Sequence, residues 1–171
     1  MRTSIDTPPG KLTLVAASEA HYGFWLYRNV AINHWRGDLT SEGVAKLAEL
    51  TSGRLQECPE GVASIHWVDA GVSLPSAQVR SRLSEIIARY PGHIMSVGAV
   101  IESEGFVASA LRSALTGIVL LAPKKIPVRV FGKLDALASW LPDVHQRTTG
   151  VSVTSEELAT NIRKAIGRPS I

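Results

Sequence analysis

Thiols are nearly absent from this 171-residue chain, with Cys58 standing alone. A single cysteine excludes an intramolecular disulfide and a thiolate metal cluster within one chain, and it suits a reducing, cytoplasmic setting. Charge of one sign is also scarce. The balance of 18 basic to 15 acidic residues gives +3, well short of the single-sign field of a dedicated nucleic-acid binder. Long hydrophobic runs are few. The longest, FVASALRSALTGIVLLA at 106–122, is broken by Arg112, two serines, Thr116 and Gly117. It is short for a membrane span and reads as a buried core helix, so no transmembrane segment is expected. The opening MRTSIDTPPGK lacks the apolar core of a signal peptide. No phosphate-binding glycine fingerprint occurs. His21, His34, His66, His93 and His145 are scattered rather than paired at metal-ligand spacing. No cofactor, metal or nucleotide is therefore expected.

What is present is ample apolar material, 45% of residues, enough for one sizeable core. Residues 1–10, ending Pro-Pro-Gly, read as a flexible arm. KLTLVAAS (11–18) reads as a strand, and the aromatic, β-branched FWLYRNVAINHW (24–35) as a second, longer one folded back on it. Thr40 or Ser41 caps a helix striped by Val44, Leu47, Ala48 and Leu55. VASIHWV (62–68) is a strand. Ser76 caps the next helix, whose Val79, Leu83, Ile86, Ile87 and Tyr90 share one face. IMSVGAVI (94–101) is apolar enough for a strand covered on both sides. A helix follows to about 122, then a strand at 126–131 and a short helix at 133–141. Thr148-Thr149-Gly150 reads as a hinge. Thr154 and Glu157 form a capping box for a last amphipathic helix with Leu158, Ile162 and Ile166. The expected fold is α/β: a small mixed sheet of about five strands, an antiparallel pair first and parallel strands after, flanked by helices. The main domain spans 11–147, and 148–171 is a tail helix that docks on its own chain or on a partner's.

That order of elements, with WRGDLT at 35–40 and ALASWL at 136–141, resembles the sulfate-transporter and anti-sigma-antagonist (STAS) fold across about residues 11–141. The resemblance implies a non-enzymatic regulatory module of bacterial signalling that works by protein–protein contact. In that family the loop after a central strand carries a phosphorylatable Ser or Thr, often within Asp-Ser-Ser-Gly. Here Asp69 stands at the strand end, Ala70 and Gly71 stand where the serines would be, and Ser73 and Ser76 remain as candidate phosphosites.

The loop within WVDAGVSLPSAQVR (67–80) has three readings. Gly71-Val72-Ser73 is half of a nucleophile elbow, with Pro75 where the second glycine belongs; His93 or His145 would have to supply the base. A phosphate on Ser76 would meet a helix N-terminus, and one on Ser73 would approach Asp69. In the plainest reading, Gly71 turns the chain and Ser76 caps a helix. Lys124, Lys125, Arg129 and Lys133 form a basic cluster around the last strand, which reads as a solvated rim or a surface for acidic partners. Trp25, Trp35, Trp67 and Trp140 are core or, if exposed, a docking face. Three functions follow. The first is a contact module for a protein such as a kinase or signalling protein, self-associating if the tail helix swaps. The second is a carrier of a small ligand or lipid, in a pocket between the sheet and helix 104–122. The third is a minor serine hydrolase using Ser73.

Overall fold

A computed structural model describes residues 10–101, 104–120 and 126–167, apart from the side chains of Leu55, Gln56 and Val119. Six strands build one sheet in sequence order: β1 (Thr13–Ser18), β2 (Tyr22–Tyr27), β3 (Val30–Trp35), β4 (Val62–Val68), β5 (Ile94–Ile101) and β6 (Val128–Phe131). β1–β2 and β2–β3 pair antiparallel; β3 to β6 run parallel. The mixed α/β sheet is the expected class. The extra strand arises because FWLYRNVAINHW is two strands, not one. Tyr27 pairs with Val30 across a two-residue turn, and Arg28 takes φ 50 there. The turn carries no glycine at its positive-φ position, where such turns usually have one, so its signal is missing from the sequence.

Helices α1 (Ser41–Glu57), α2 (Ala77–Arg89) and α3 (Gly105–Leu120) join successive parallel strands. The strands advance in one direction across the sheet, so right-handed crossovers put all three helices on one face. Their core holds Phe24, Trp35, Leu47, Leu83, Ile101 and Leu111. Helices α4 (Leu134–Thr149) and α5 (Ser155–Gly167) cover the other face, over Trp25, Ile32, Ile65, Trp67 and Val100. Trp25, Trp35 and Trp67 are therefore core residues.

α4 is longer than the expected 133–141. It runs through Pro142 to Thr149 and ends at Gly150 in the left-handed conformation, φ 77. The proline removes one helical hydrogen bond, but the buried stripe runs across it, from Leu141 before it to Val144 and His145 after it. His145 Nε2 meets Asn29 Oδ1 at 2.8 Å, and Asn29 Nδ2 donates to the Gly61 carbonyl at 3.0 Å. This anchorage offsets the cost of Pro142.

The tail helix α5 docks on its own chain, with Leu158, Ile162 and Ala165 fully buried. Its capping box is formed: the Glu157 N–H donates to Thr154 Oγ1, and the Thr154 N–H donates to Glu157 Oε2. The other carboxylate oxygen accepts from Tyr27 Oη and Arg28, which ties the start of α5 to the β2–β3 turn. The Thr154 N–H is the main cause holding the Glu157 carboxyl below its usual range.

Candidate functional site

Parallel order brings the C-terminal ends of β3, β4 and β5 to one edge of the sheet. The loops after β3 and β4 emerge there, and the 69–76 loop lies on this rim. Asp69 accepts from His34 Nε2 at 2.8 Å, with His34 buried and Asp69 half-buried. Gly71 turns at φ +93. The Ser73 N–H donates to Asp38 Oδ1 at 2.8 Å, and together with the Ser73 hydroxyl it keeps the Asp38 carboxyl below its ordinary range. The carboxylate that Ser73 binds is Asp38, in the loop after β3. Ser73 is bound to that carboxylate, and none of the hydrogen bonds of the described residues joins it to an imidazole. Ser76 Oγ accepts from the Val79 N–H at 3.2 Å, the helix cap read from the sequence.

Two of the four residues of the basic cluster are described. Arg129 is exposed on the edge strand β6 with its guanidinium 5.6 Å from the Phe131 ring centre. Lys133 is exposed at the N-cap of α4, where its side chain makes no cap. Lys124 and Lys125 lie outside the described residues. Arg163 pairs with Asp135 at 3.1 Å on the surface. Among the described residues no group of three or more His, Cys, Asp or Glu is arranged to hold a metal ion, and no helix is long and apolar enough to cross a membrane.

Beneath the rim, between the sheet and α1, α2 and α3, lies a cavity of about 70 Å³. Leu47 and Thr51 of α1, Leu83 and Ile86 of α2, and Leu111, Ala114 and Ile118 of α3 form its walls. Its sheet side carries Trp35, Ser64, His66, Ile94 and Val97. Ser64 and His66 sit on a central strand with helices over both faces, yet each keeps part of its surface accessible; that surface faces the cavity.

The polar part of this floor has a defined proton arrangement. Trp35 Nε1 is 3.2 Å from His66 Nδ1. An indole nitrogen only donates, so Nδ1 accepts and the neutral imidazole carries its proton on Nε2. Nε2 therefore donates to Ser64 Oγ, 3.0 Å away. Asn33 Nδ2 donates to the same oxygen at 3.1 Å and to the Ile65 carbonyl at 3.1 Å. Both lone pairs of Ser64 are thus occupied, and its own hydroxyl proton is left for whatever fills the cavity. Burial lowers the His66 pKa to about 4, so the imidazole is neutral at ordinary pH. In this tautomer it gives a proton to Ser64 rather than taking one, so the pair is not an activated nucleophile. The Thr51 hydroxyl is committed to the Leu47 carbonyl at 2.8 Å.

The sequence reading missed Ser64 and Asn33, which meet each other across about 30 residues of chain; no local pattern encodes such a pair. His66 does make the structural hydrogen bonds its mid-strand position suggests. A scan against protein-family models finds no match to this chain, and a search of curated proteins finds none either.

Proposed function

We propose that this chain is a non-enzymatic binding module whose ligand is a small, largely apolar molecule held between the sheet and α3. The cavity of about 70 Å³ carries this reading. At roughly 24 cal/mol per Å³, an empty space of this size costs about 2 kcal/mol, which an occupant recovers. Its lining offers water few partners, because the Thr51 hydroxyl and the His66 ring nitrogens are already committed. The Ser64 hydroxyl supplies a single donor, which suits orientation of a ligand rather than bond cleavage. α3 exposes its outer face, with Phe106 87% and Leu120 80% exposed. Titration calorimetry with 1-octanol tests the idea. Ala114→Phe, which puts a ring into the cavity, should weaken binding by about tenfold, or 1.4 kcal/mol, with the melting temperature maintained. Unchanged affinity in that variant would place the ligand elsewhere.

A second reading, in line with the STAS resemblance, is a cytoplasmic regulatory module that contacts a protein partner, such as a kinase or signalling protein, through the rim. It draws support from the exposed Leu74, Phe106 and Val107, which lie on the loop after β4 and at the start of α3. Exposed apolar side chains, Leu74 among them between Ser73 and Ser76, suit a docking face. Ser76→Ala should cost about 1 kcal/mol of stability through loss of the helix cap, read from urea melts. Ser76→Glu should alter partner capture more than Ser76→Ala does. Equal capture by both variants would remove a phosphoswitch at this position.

A further inference from the structure

A buried charge lies one turn beyond the cavity wall on α1, outside the residues that line the cavity and without an ion pair among the described residues. Arg54, near the end of α1, is 5% exposed. Its Nη2 is buried without a hydrogen-bond partner, and it takes part in none of the ion pairs of the described residues. Burial lowers its pKa to about 10 against the opposing influence of Cys58 and Glu57. A guanidinium hidden from water and left unpaired is strongly unfavourable.

Its position suggests what would pair with it. The buried residues Val44, Leu47, Thr51, Arg54 and Cys58 mark the sheet-facing stripe of α1. Arg54 follows Leu47 by seven residues, nearly two full turns, so the two leave the helix in nearly the same direction. Leu47 and Thr51 both line the cavity. Helical side chains lean toward the helix N-terminus, and for Arg54 this is toward Thr51 and the cavity.

We infer that the ligand is an amphipathic anion, a medium-chain carboxylate whose alkyl body fills the cavity and whose carboxylate pairs with Arg54. This inference rests on the cavity reading above and names the class of ligand. A carboxylate accepts parallel N–H bonds from a guanidinium and so gives Nη2 the acceptor it lacks. The tail meets Leu83, Ile86, Leu111 and Ile118.

The test is calorimetric titration of the full chain at pH 7 with sodium octanoate and, separately, with 1-octanol, for the native protein, Arg54→Met and Arg54→Lys. The native protein should prefer octanoate by about tenfold or more. Arg54→Lys should keep the preference. Arg54→Met should lose it and bind octanol at least as well. The methionine variant should also melt no lower than the native protein, because an apolar chain replaces a buried unpaired charge. Equal affinity of the native protein for both probes would overturn the role of Arg54 and leave the cavity reading standing. A preference that survives Arg54→Met would overturn it too, by placing the headgroup elsewhere. Failure of both probes to bind would overturn this inference together with the reading beneath it. If Arg54→Met does not fold, the native protein and Arg54→Lys still decide.

Discussion

Gly61→Ala is expected to lower stability by about 4 kcal/mol, the sum of two independent costs. Gly61 has φ +92, and a residue with a Cβ costs roughly 1–2 kcal/mol in the left-handed region. An added Cβ would also stand 2.4 Å from Met95 Cγ and 2.9 Å from the His93 carbonyl oxygen. The methionine can move, but the carbonyl belongs to the backbone that receives the Val62 N–H at 2.7 Å, where β4 meets β5. Such overpacking costs about 1–3 kcal/mol. The Gly61 carbonyl also accepts from Asn29, so displacing the turn disturbs the Asn29–His145 anchorage of α4. Gly71→Ala is the matched control. It shares a positive φ, +93, but its Cβ would have nothing within 4 Å, so about 1–2 kcal/mol should be lost. Urea melts read the difference. Equal losses at both positions would mean that the close approach at Gly61 is absent.

Stability should also fall as pH drops from about 6.5 to about 4. His66 and His145 are held near pKa 4, mainly by burial, with Glu60 opposing the shift at His145. In the unfolded chain both titrate near 6.5. Between these values the unfolded state binds protons that the folded state refuses, so stability rises with pH across the window and is fully present above it. Each site contributes roughly 2–3 kcal/mol at most. Protonating His66 in the fold would also set an N–H on Nδ1 against the Trp35 N–H. Asp38 and Glu157, whose pKa values are lowered, contribute below this window, losing their stabilisation as pH falls through the carboxylate range. Chemical denaturation at pH 7 and pH 4.5 should show the loss, and His145→Gln should remove about half of it. Equal stability at the two pH values would contradict imidazoles kept neutral by the fold.

The sequence revealed most where the information was local. Ser76 caps its helix as read, and Thr40, one of the two candidates, caps the first, because a cap needs only a side-chain oxygen and an N–H three residues on. The Thr154–Glu157 box is of the same kind. The β2–β3 turn was hidden because Arg28, not a glycine, takes the positive φ. The continuation of α4 was hidden because Pro142 is a local stop signal that tertiary burial overrides. The cavity lies in the expected layer, between the sheet and the helix starting near 104, but its polar floor joins residues on β3 and β4 that only the fold brings together. Arg54 did leave a trace: a charged residue seven after Leu47 on an apolar stripe. The stripe drawn through Val44, Leu47, Ala48 and Leu55 passed beside it.

The most direct measurement is a methyl NMR titration of the whole chain with 1-octanol. Binding between the sheet and α3 predicts saturable shifts at Leu83, Ile86, Leu111 and Ile118, which line the cavity, and none at Leu158 and Ile162 on the opposite face of the sheet. Shifts that never saturate, or that appear equally in both layers, would contradict a ligand site at this place.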